Sequence, residues 1–346
     1  MAVAGCGSHT CRVVDRSGAT VATGSVLTEV EWVRLLDDTS TARVVINPDG
    51  DCCEALGRGR SWRHRLQIYR DGEFVWDGPI ITPSWSLGHL EIRAADIGAW
   101  LDRRVPHESI TFGSTDLADI AEWLIEDAFA PDDPGHQVLK MAPAGVTGGR
   151  RYIKDVGQSG DHLRALAETG LDYTIVGQSI ILLPEDWRES VGRLSDADLP
   201  EGLEVTEDGT NLATRWIVAG DDEGDVLGEA GGADAYYGLL ERYVEDTSIT
   251  DDASATSAAQ VKVRTSLPVP VFIDSQDVTL SPEAAIDVPK LVPGWCLDVT
   301  SNTTCRTITQ RLKIVGVKVT EEGGTSDEPG AERVQVQLAA GGSEAA

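Results

Sequence analysis

Positive charge is scarce in this 346-residue chain: 29 Lys and Arg stand against 57 Asp and Glu, a formal net charge of −28. So acidic a chain cannot neutralise a run of phosphates, which argues against sequence-independent nucleic-acid binding and against adhesion to an anionic membrane surface. No block of five or six basic residues occurs. Long apolar runs are also missing. The longest, such as residues 180–183, fall far short of the roughly 20 residues that span a bilayer. The first six residues, Met1-Ala2-Val3-Ala4-Gly5-Cys6, have neither a basic region nor an apolar stretch of signal-peptide length, so no secretory signal is expected. Aromatics are only 5% of the chain, yet nine of them are Trp, a residue suited to barrel cores and subunit interfaces.

Catalytic signatures are absent too. The chain has no G-x-S-x-G elbow, no Walker loop, no H-E-x-x-H and no EF-hand spacing. Its histidines, His9, His64, His89, His107, His136 and His162, are scattered among charged and turn residues, and most read as solvated surface. Asp221-Asp222-Glu223-Gly224-Asp225 reads as an acidic flexible loop in preference to a calcium site. These absences predict a protein that is not an enzyme and needs no cofactor.

The six cysteines fall into three groups: Cys6 with Cys11, Cys52 with Cys53, and Cys296 with Cys305. Cys6, His9, Cys11 and Cys52 could together make a tetrahedral metal site. Reduced buried thiols are the preferred reading, a metal the second and a disulfide the last. Cys296 and Cys305 could face each other on a hairpin around residues 300–302.

A hydrophobic fraction of 41% shows that enough apolar material is present for folded cores. At about one domain per 100–200 residues the length predicts two or three domains. Residues 1–104 read as short strands. The clearest hairpin is centred on Asp71-Gly72, a signal for a type I′ turn, and it pairs Tyr69 with Phe74 and Ile68 with Val75. Two further hairpins fit residues 85–92 and 32–46. Residues 105–197 change character. A helix is predicted over 116–129 with Thr115 as its cap, a loop over 131–149, a second helix over 161–169 ended by Gly170, and strands over 173–176 and 180–183. Residues 198–346 return to β, with one Ala-rich helix over 252–263. The predicted fold class is therefore mainly β with an α+β insert: two β-barrel-like units flanking a small α+β domain.

Several stretches carry a family resemblance. They are Glu31-Trp32-Val33-Arg34-Leu35-Leu36-Asp37-Asp38-Thr39-Ser40, Cys52-Cys53, His64-Arg65-Leu66-Gln67-Ile68-Tyr69-Arg70-Asp71-Gly72, Val75-Trp76-Asp77-Gly78-Pro79-Ile80 and Trp100-Leu101-Asp102-Arg103-Arg104. Together they resemble the minor tail proteins of siphophages that infect actinobacteria, the group that builds the tail hub. Residues 237–249, Leu291-Val292-Pro293-Gly294 and 312–319 are similar to hub proteins as well, so the resemblance covers most of the chain.

That resemblance implies a homotrimer in the virion, at the tail tip, made in the host cytoplasm. Each subunit would carry two barrel-like domains related to the tail-tube fold, giving a pseudo-sixfold ring. The ring would join the sixfold distal tail protein ring or tail tube to a threefold tip protein or central fibre. The tape measure protein would be a neighbour, and DNA would pass through without specific binding. An acidic lumen suits such passage, because a basic one would trap the duplex. The densest basic group, Arg58, Arg60, Trp62, Arg63 and Arg65, is expected to meet carboxylates of a neighbouring subunit. A receptor- or carbohydrate-binding tail-tip protein is the alternative reading, and a cell-wall hydrolase is disfavoured for want of a catalytic motif.

Overall fold

A computed structural model describes residues 5–25, 27–47, 51–87, 89–199, 205–207, 212–220, 226–266, 271–273, 278–302, 308–323 and 331–340. The first third forms β1 (His9–Val14), β2 (Thr20–Gly24), β3 (Glu29–Leu35), β4 (Thr41–Ile46), α1 (Asp51–Leu56), β5 (Arg65–Arg70), β6 (Glu73–Trp85), β7 (Leu90–Ala95) and α2 (Gly98–Leu101). Then come β8 (Ile110–Asp116), α3 (Leu117–Phe129), β9 (Gln137–Lys140), β10 (Thr147–Tyr152), α4 (Ser159–Ala167), β11 (Leu171–Val176), β12 (Ser179–Pro184) and β13 (Ser190–Ser195). The last part holds β14 (Val205–Glu207), β15 (Arg215–Ala219), β16 (Leu227–Gly231), β17 (Glu241–Glu245), α5 (Asp252–Ser266), β18 (Val271–Ile273), β19 (Val278–Thr279), β20 (Cys296–Ser301), β21 (Ile308–Glu322) and β22 (Ala331–Ala340). The protein is mainly β.

The two flanking β-rich segments do not stand apart as two barrels. They share one 12-stranded sheet, in the order β13-β20-β21-β3-β4-β7-β6-β5-β1-β2, with β22 and β19 added beside β21. Among the described residues no closed barrel forms. Strand β21 makes the seam: one edge pairs first with β20 and then with β3, and the other edge pairs with β22. A bulge between Ile314 and Gly316 re-phases its alternation. Leu312 and Ile314 are buried before it, and Val317 and Val319 after it. Without that extra residue, half of the apolar set would face water.

Two apolar cores result. One runs from Cys11 to Ala94 and from Leu194 to Leu338, joining chain ends far apart in sequence. The other gathers Ile97 to Val261, with the apolar face of α3 (Leu117, Ile120, Ala121, Leu124, Ala128) at its centre and α5 at its edge. Helix α5 and strand β15 thus pack with elements from before residue 198.

Several local expectations meet small corrections. Asp116 caps α3, not Thr115, because its Oδ1 accepts the Ala118 N–H at 2.9 Å while Thr115 continues β8. Helix α4 begins two residues earlier than its apolar spacing suggests. The stretch 131–149 is not all loop: β9 lies in it and β10 begins there, both short and polar enough to leave no period-2 signal. In the Asp71-Gly72 hairpin, Tyr69 faces Phe74, but Ile68 faces Trp76 because a bulge takes up Val75. His9 and His64 are buried rather than solvated. Cys296 is a buried free thiol opposite Lys313, and Cys305 lies outside the described residues, as do 221–225 and Gly88.

The turn itself has the conformation its residues demand, with φ of +51° at Asp71 and +82° at Gly72. Nothing lies within 4 Å of a Cβ added at Gly72. Gly72→Val would therefore cost backbone strain alone, roughly 1–2 kcal/mol, which chemical denaturation would register as a lowered midpoint at unchanged slope.

Candidate interaction surface

The connection between α1 and β5 holds the basic cluster picked out from the sequence. Gly59 N–H donates to the Leu56 carbonyl (3.0 Å), Trp62 N–H to the Ile80 carbonyl (2.8 Å) and His64 N–H to the Arg60 carbonyl (3.2 Å). These bonds hold Trp62 at φ +60°, a left-handed backbone that a bulky side chain rarely adopts. Such strain persists only where the surroundings enforce it, and it concentrates at functional sites. The Trp62 ring packs at 6.1 Å from the Trp100 ring of α2, and the Arg103 guanidinium lies 5.4 Å over it.

Arg60 is aimed by its own turn. Its Nη1 donates to the carbonyls of Gly57 and Gly59, both at 2.8 Å, and its guanidinium sits 5.7 Å over Trp85. Trp85 is 55% exposed, and Leu87 beyond it is fully exposed. His64 Nδ1 accepts the Arg60 N–H at 3.1 Å. Burial and the neighbouring Arg63 and Arg60 hold its pKa below the usual imidazole value. Arg63 is exposed, and Arg58 meets only Glu54, 3.6 Å away at i−4, with both groups in water. The result is a platform of guanidinium groups and indole rings on the protein surface.

Arg65 does not belong to it. Its side chain is buried 3.4 Å from Asp77, so its charge is met within the chain. Burial raises the Asp77 carboxyl despite that arginine. Trp85, Trp100 and Arg103 join the platform although sequence reading did not find them. They come from two other elements, and no spacing in the chain signals that meeting.

The cysteine–histidine group is described in part. Cys6 is exposed and Cys11 lies in the first core. The side chain of Cys52 is outside the described residues. His9 is fully engaged. Trp32 Nε1 can only donate, and it reaches His9 Nε2 at 3.0 Å, so the imidazole proton sits on Nδ1 and goes to Glu321 at 2.7 Å. Among the described residues no three His, Cys, Asp or Glu are grouped to hold a metal ion.

Buried charge instead ties the chain together. Arg70 and Glu332, each with no exposed side-chain surface, make a two-point contact at 2.6 and 2.8 Å, and Glu332 also accepts the N–H groups of Gly5 and Gly7 at 2.9 Å. Arg34 is buried with no carboxylate partner among the described residues. It donates to the carbonyls of Pro289 and Leu291 (2.9 Å each) and Val75 (2.6 Å), and burial pulls its pKa down to about 10.

Where the two cores meet, the Asp37 N–H donates to the Tyr173 carbonyl (2.9 Å) and Asp37 Oδ1 accepts the Tyr173 N–H (2.8 Å). Beside them Lys313 binds Asp172 and the Glu185 carbonyl, and Lys262 lies 3.3 Å from Glu185. Burial lifts the Asp172 carboxyl to about 6.

No family model matches this chain, and no curated protein matches it in sequence. Its structure, however, is similar to the 43 kDa tail protein of prophage MuSo2 from Shewanella oneidensis, with TM-score 0.63 and 12% identity over 96% of this chain and 99% of that one. It is similar to the tail protein from Neisseria meningitidis MC58, with TM-score 0.61 and 13% identity over 96% of each chain. It is also similar to prophage tail protein gp18 from Listeria monocytogenes EGD-e, with TM-score 0.61 and 11% identity over 95% of this chain and 94% of that one. At such identities the likeness speaks for the fold and not for host or tail type: along nearly its whole length, this chain has the fold of phage tail proteins.

Proposed function

We propose that this protein is a structural component of a phage tail, and within the tail the hub at its tip. The observation that carries this reading is the near end-to-end structural likeness to three tail proteins, each matched over at least 94% of its own length. In this reading three copies close a ring whose β-rich parts surround a channel. The ring joins the distal tail ring or tail tube on one side to a threefold tip or central fibre on the other. The tape measure protein is its neighbour in the lumen, and the parent phage belongs to the siphophages of actinobacteria. The platform of Arg58, Arg60, Trp62 and Arg63 is a subunit contact. The reading needs no catalytic group and no cofactor.

Mass measurement of the assembled protein tests the ring. Three copies are expected, and a stable monomer or a hexamer would count against it. The charge of −28 supports a channel that repels the duplex. No DNA binding is therefore expected even at about 50 mM salt, where electrostatic affinity is strongest. Micromolar binding there, lost on neutralising Arg60 and Arg63, would overturn both the passive channel and the subunit contact.

A second reading, a receptor- or carbohydrate-binding tail-tip protein, is favoured by the exposed indole of Trp85, a surface on which a sugar ring could stack. Saturation-transfer NMR with host cell-wall glycans would detect it, and binding lost in Trp85→Ala would favour it over the hub.

A further inference from the structure

The strands β16, β15 and β17 form a small sheet in that order, backed on one face by α5. The register places Leu227 opposite Ala219, Glu229 and Tyr243 on either side of Ile217, and Glu241 beside Arg215. Trp216 and Val218 alternate with these residues and are buried toward α5. Leu227, Glu229, Glu241 and Tyr243 therefore share the face turned away from the protein.

The loop before β17 adds further exposed apolar side chains. Asp234 and Gly238 exchange backbone hydrogen bonds at 2.8 and 2.9 Å, and Asp234 Oδ1 accepts the N–H groups of Tyr236 (2.7 Å) and Tyr237 (2.9 Å). Thr214 Oγ1 anchors the loop by accepting the Leu240 N–H at 2.9 Å. So the loop is tied by its own bonds, yet Tyr236 is 87% exposed and Leu239 52%. A rigid loop that holds tyrosine and leucine in water has already met much of the ordering cost of a contact. Among the described residues, Leu227, Tyr236, Leu239, Leu240 and Tyr243 gather a large share of the exposed large apolar side chains into one short segment.

Charge identifies what covers this knob. Its segment carries Glu229, Asp234, Glu241 and Glu245 against Arg242, with Arg215 already held by Glu229 and Glu241. Two knobs would repel each other. The platform has the opposite balance: Arg60 lies over Trp85 and Arg103 over Trp62, with Arg58 and Arg63 exposed on the same connection, and the nearby carboxylates are Glu54, which meets Arg58, and Asp15, which acts on His64. Arginine and indole on one side, tyrosine, leucine and carboxylate on the other, are the complementary compositions of an interface core. Both surfaces are exposed within a single chain, so each is open to a second molecule.

We propose that the Tyr236–Tyr243 knob of one copy seats on the Trp62–Arg60 platform of a second copy. The contact is head-to-tail, with different patches on its two sides, and such contacts close into rings when the rotation between copies allows. This deepens the hub reading and rests on its ring of identical subunits.

The test uses two variants of the full chain. Tyr236→Ser with Leu239→Ser removes the knob, and Arg63→Glu with Arg103→Glu reverses the platform. All four side chains are solvent-facing, and matched melting curves check that both variants fold. Light scattering across a dilution series should show wild-type assembly, and in each variant the concentration needed should rise by about ten-fold or more. An equimolar mixture of the two variants retains one intact knob opposite one intact platform. It should recover a two-copy complex that neither forms alone.

Variants that assemble like wild type would overturn the proposal and assign the knob to a different partner, with the ring itself untouched. Loss of assembly in both variants with no recovery on mixing would show that the two patches do not meet. A wild-type protein that stays monomeric would overturn the ring reading, and this contact with it.

Discussion

Replacing Glu332 with alanine is expected to destabilise this protein by about 3–5 kcal/mol, the usual loss when one partner of a buried ion pair is removed. The carboxylate is the convergence point of four donors: the Arg70 Nε at 2.6 Å, the Arg70 Nη2 at 2.8 Å and the N–H groups of Gly5 and Gly7 at 2.9 Å. Burial raises its pKa, but the Arg70 guanidinium and the Gly7 N–H outweigh that and hold it below the usual glutamate value. Alanine would leave Arg70 charged in the interior and would release the N-terminal segment from β22. Urea denaturation would show the loss, and hydrogen exchange would place it at residues 5–9 first. Glu332→Gln keeps the shape but not the charge, so it should fall between wild type and Glu332→Ala. An Ala variant within about 1 kcal/mol of wild type would mean that water reaches Arg70.

Lys313→Met should be nearly as damaging, and its effect should depend on pH. Lys313 is the cation that binds Asp172, with Asp37 and Glu185 close by. Burial, and then the Asp172 charge, raise the Asp37 carboxyl well above its ordinary value, and burial lifts Asp172 to about 6. A carboxyl raised in the folded state favours folding below its unfolded pKa, and that contribution is lost as pH rises through the folded value. Without Lys313 both carboxyls would resist ionisation more strongly. At about pH 8 the variant should lose about 3–5 kcal/mol, and at about pH 5 much of this should return as the two groups take up protons. Adding Asp172→Asn should recover stability at the higher pH. A Lys313→Met variant with the same deficit at both values would show that Asp172 and Asp37 find other compensation.

Both residues lie where sequence reasoning has least purchase. Glu332 shares the inward face of β22 with Val334, with exposed Arg333 between them, at a position where alternation calls for an apolar side chain. Its partner Arg70 is 262 positions away. Lys313 sits beside Leu312 in β21 and, by alternation, would face water, but its amine meets Asp172 of β11 and the Glu185 carbonyl. Arg34 occupies an inward position of β3 between Trp32 and the strand end, where alternation calls for an apolar side chain. It is accepted because three backbone carbonyls converge on it. The platform divides in the same way. Arg58, Arg60, Trp62 and Arg63 were legible as a local cluster. Arg65, one pleat further, was not legible as buried, since Asp77 reaches it only after β5 and β6 have paired.

Features that rest on neighbours a few residues apart could be read before any tertiary contact was known. The positive φ that Asp71-Gly72 accepts placed the first hairpin, and apolar spacing of three and four placed α3 and α4 to within two residues. Gly177 in the left-handed region turns β11 into β12, and the excess of carboxylates argues against a nucleic-acid-binding surface. Long-range packing is what joins the two β-rich ends in one sheet through β3 and β21, shifts the pairing by bulges at Ile68 and Ile314, and makes His9 a buried hydrogen-bond link. The physical reason is range. A turn or a helix is stabilised by bonds that close within a few residues, so composition in a short window suffices. Strand pairing across nearly 300 residues depends on which apolar faces can be buried together, and many pairings satisfy the same alternation until the whole core is packed.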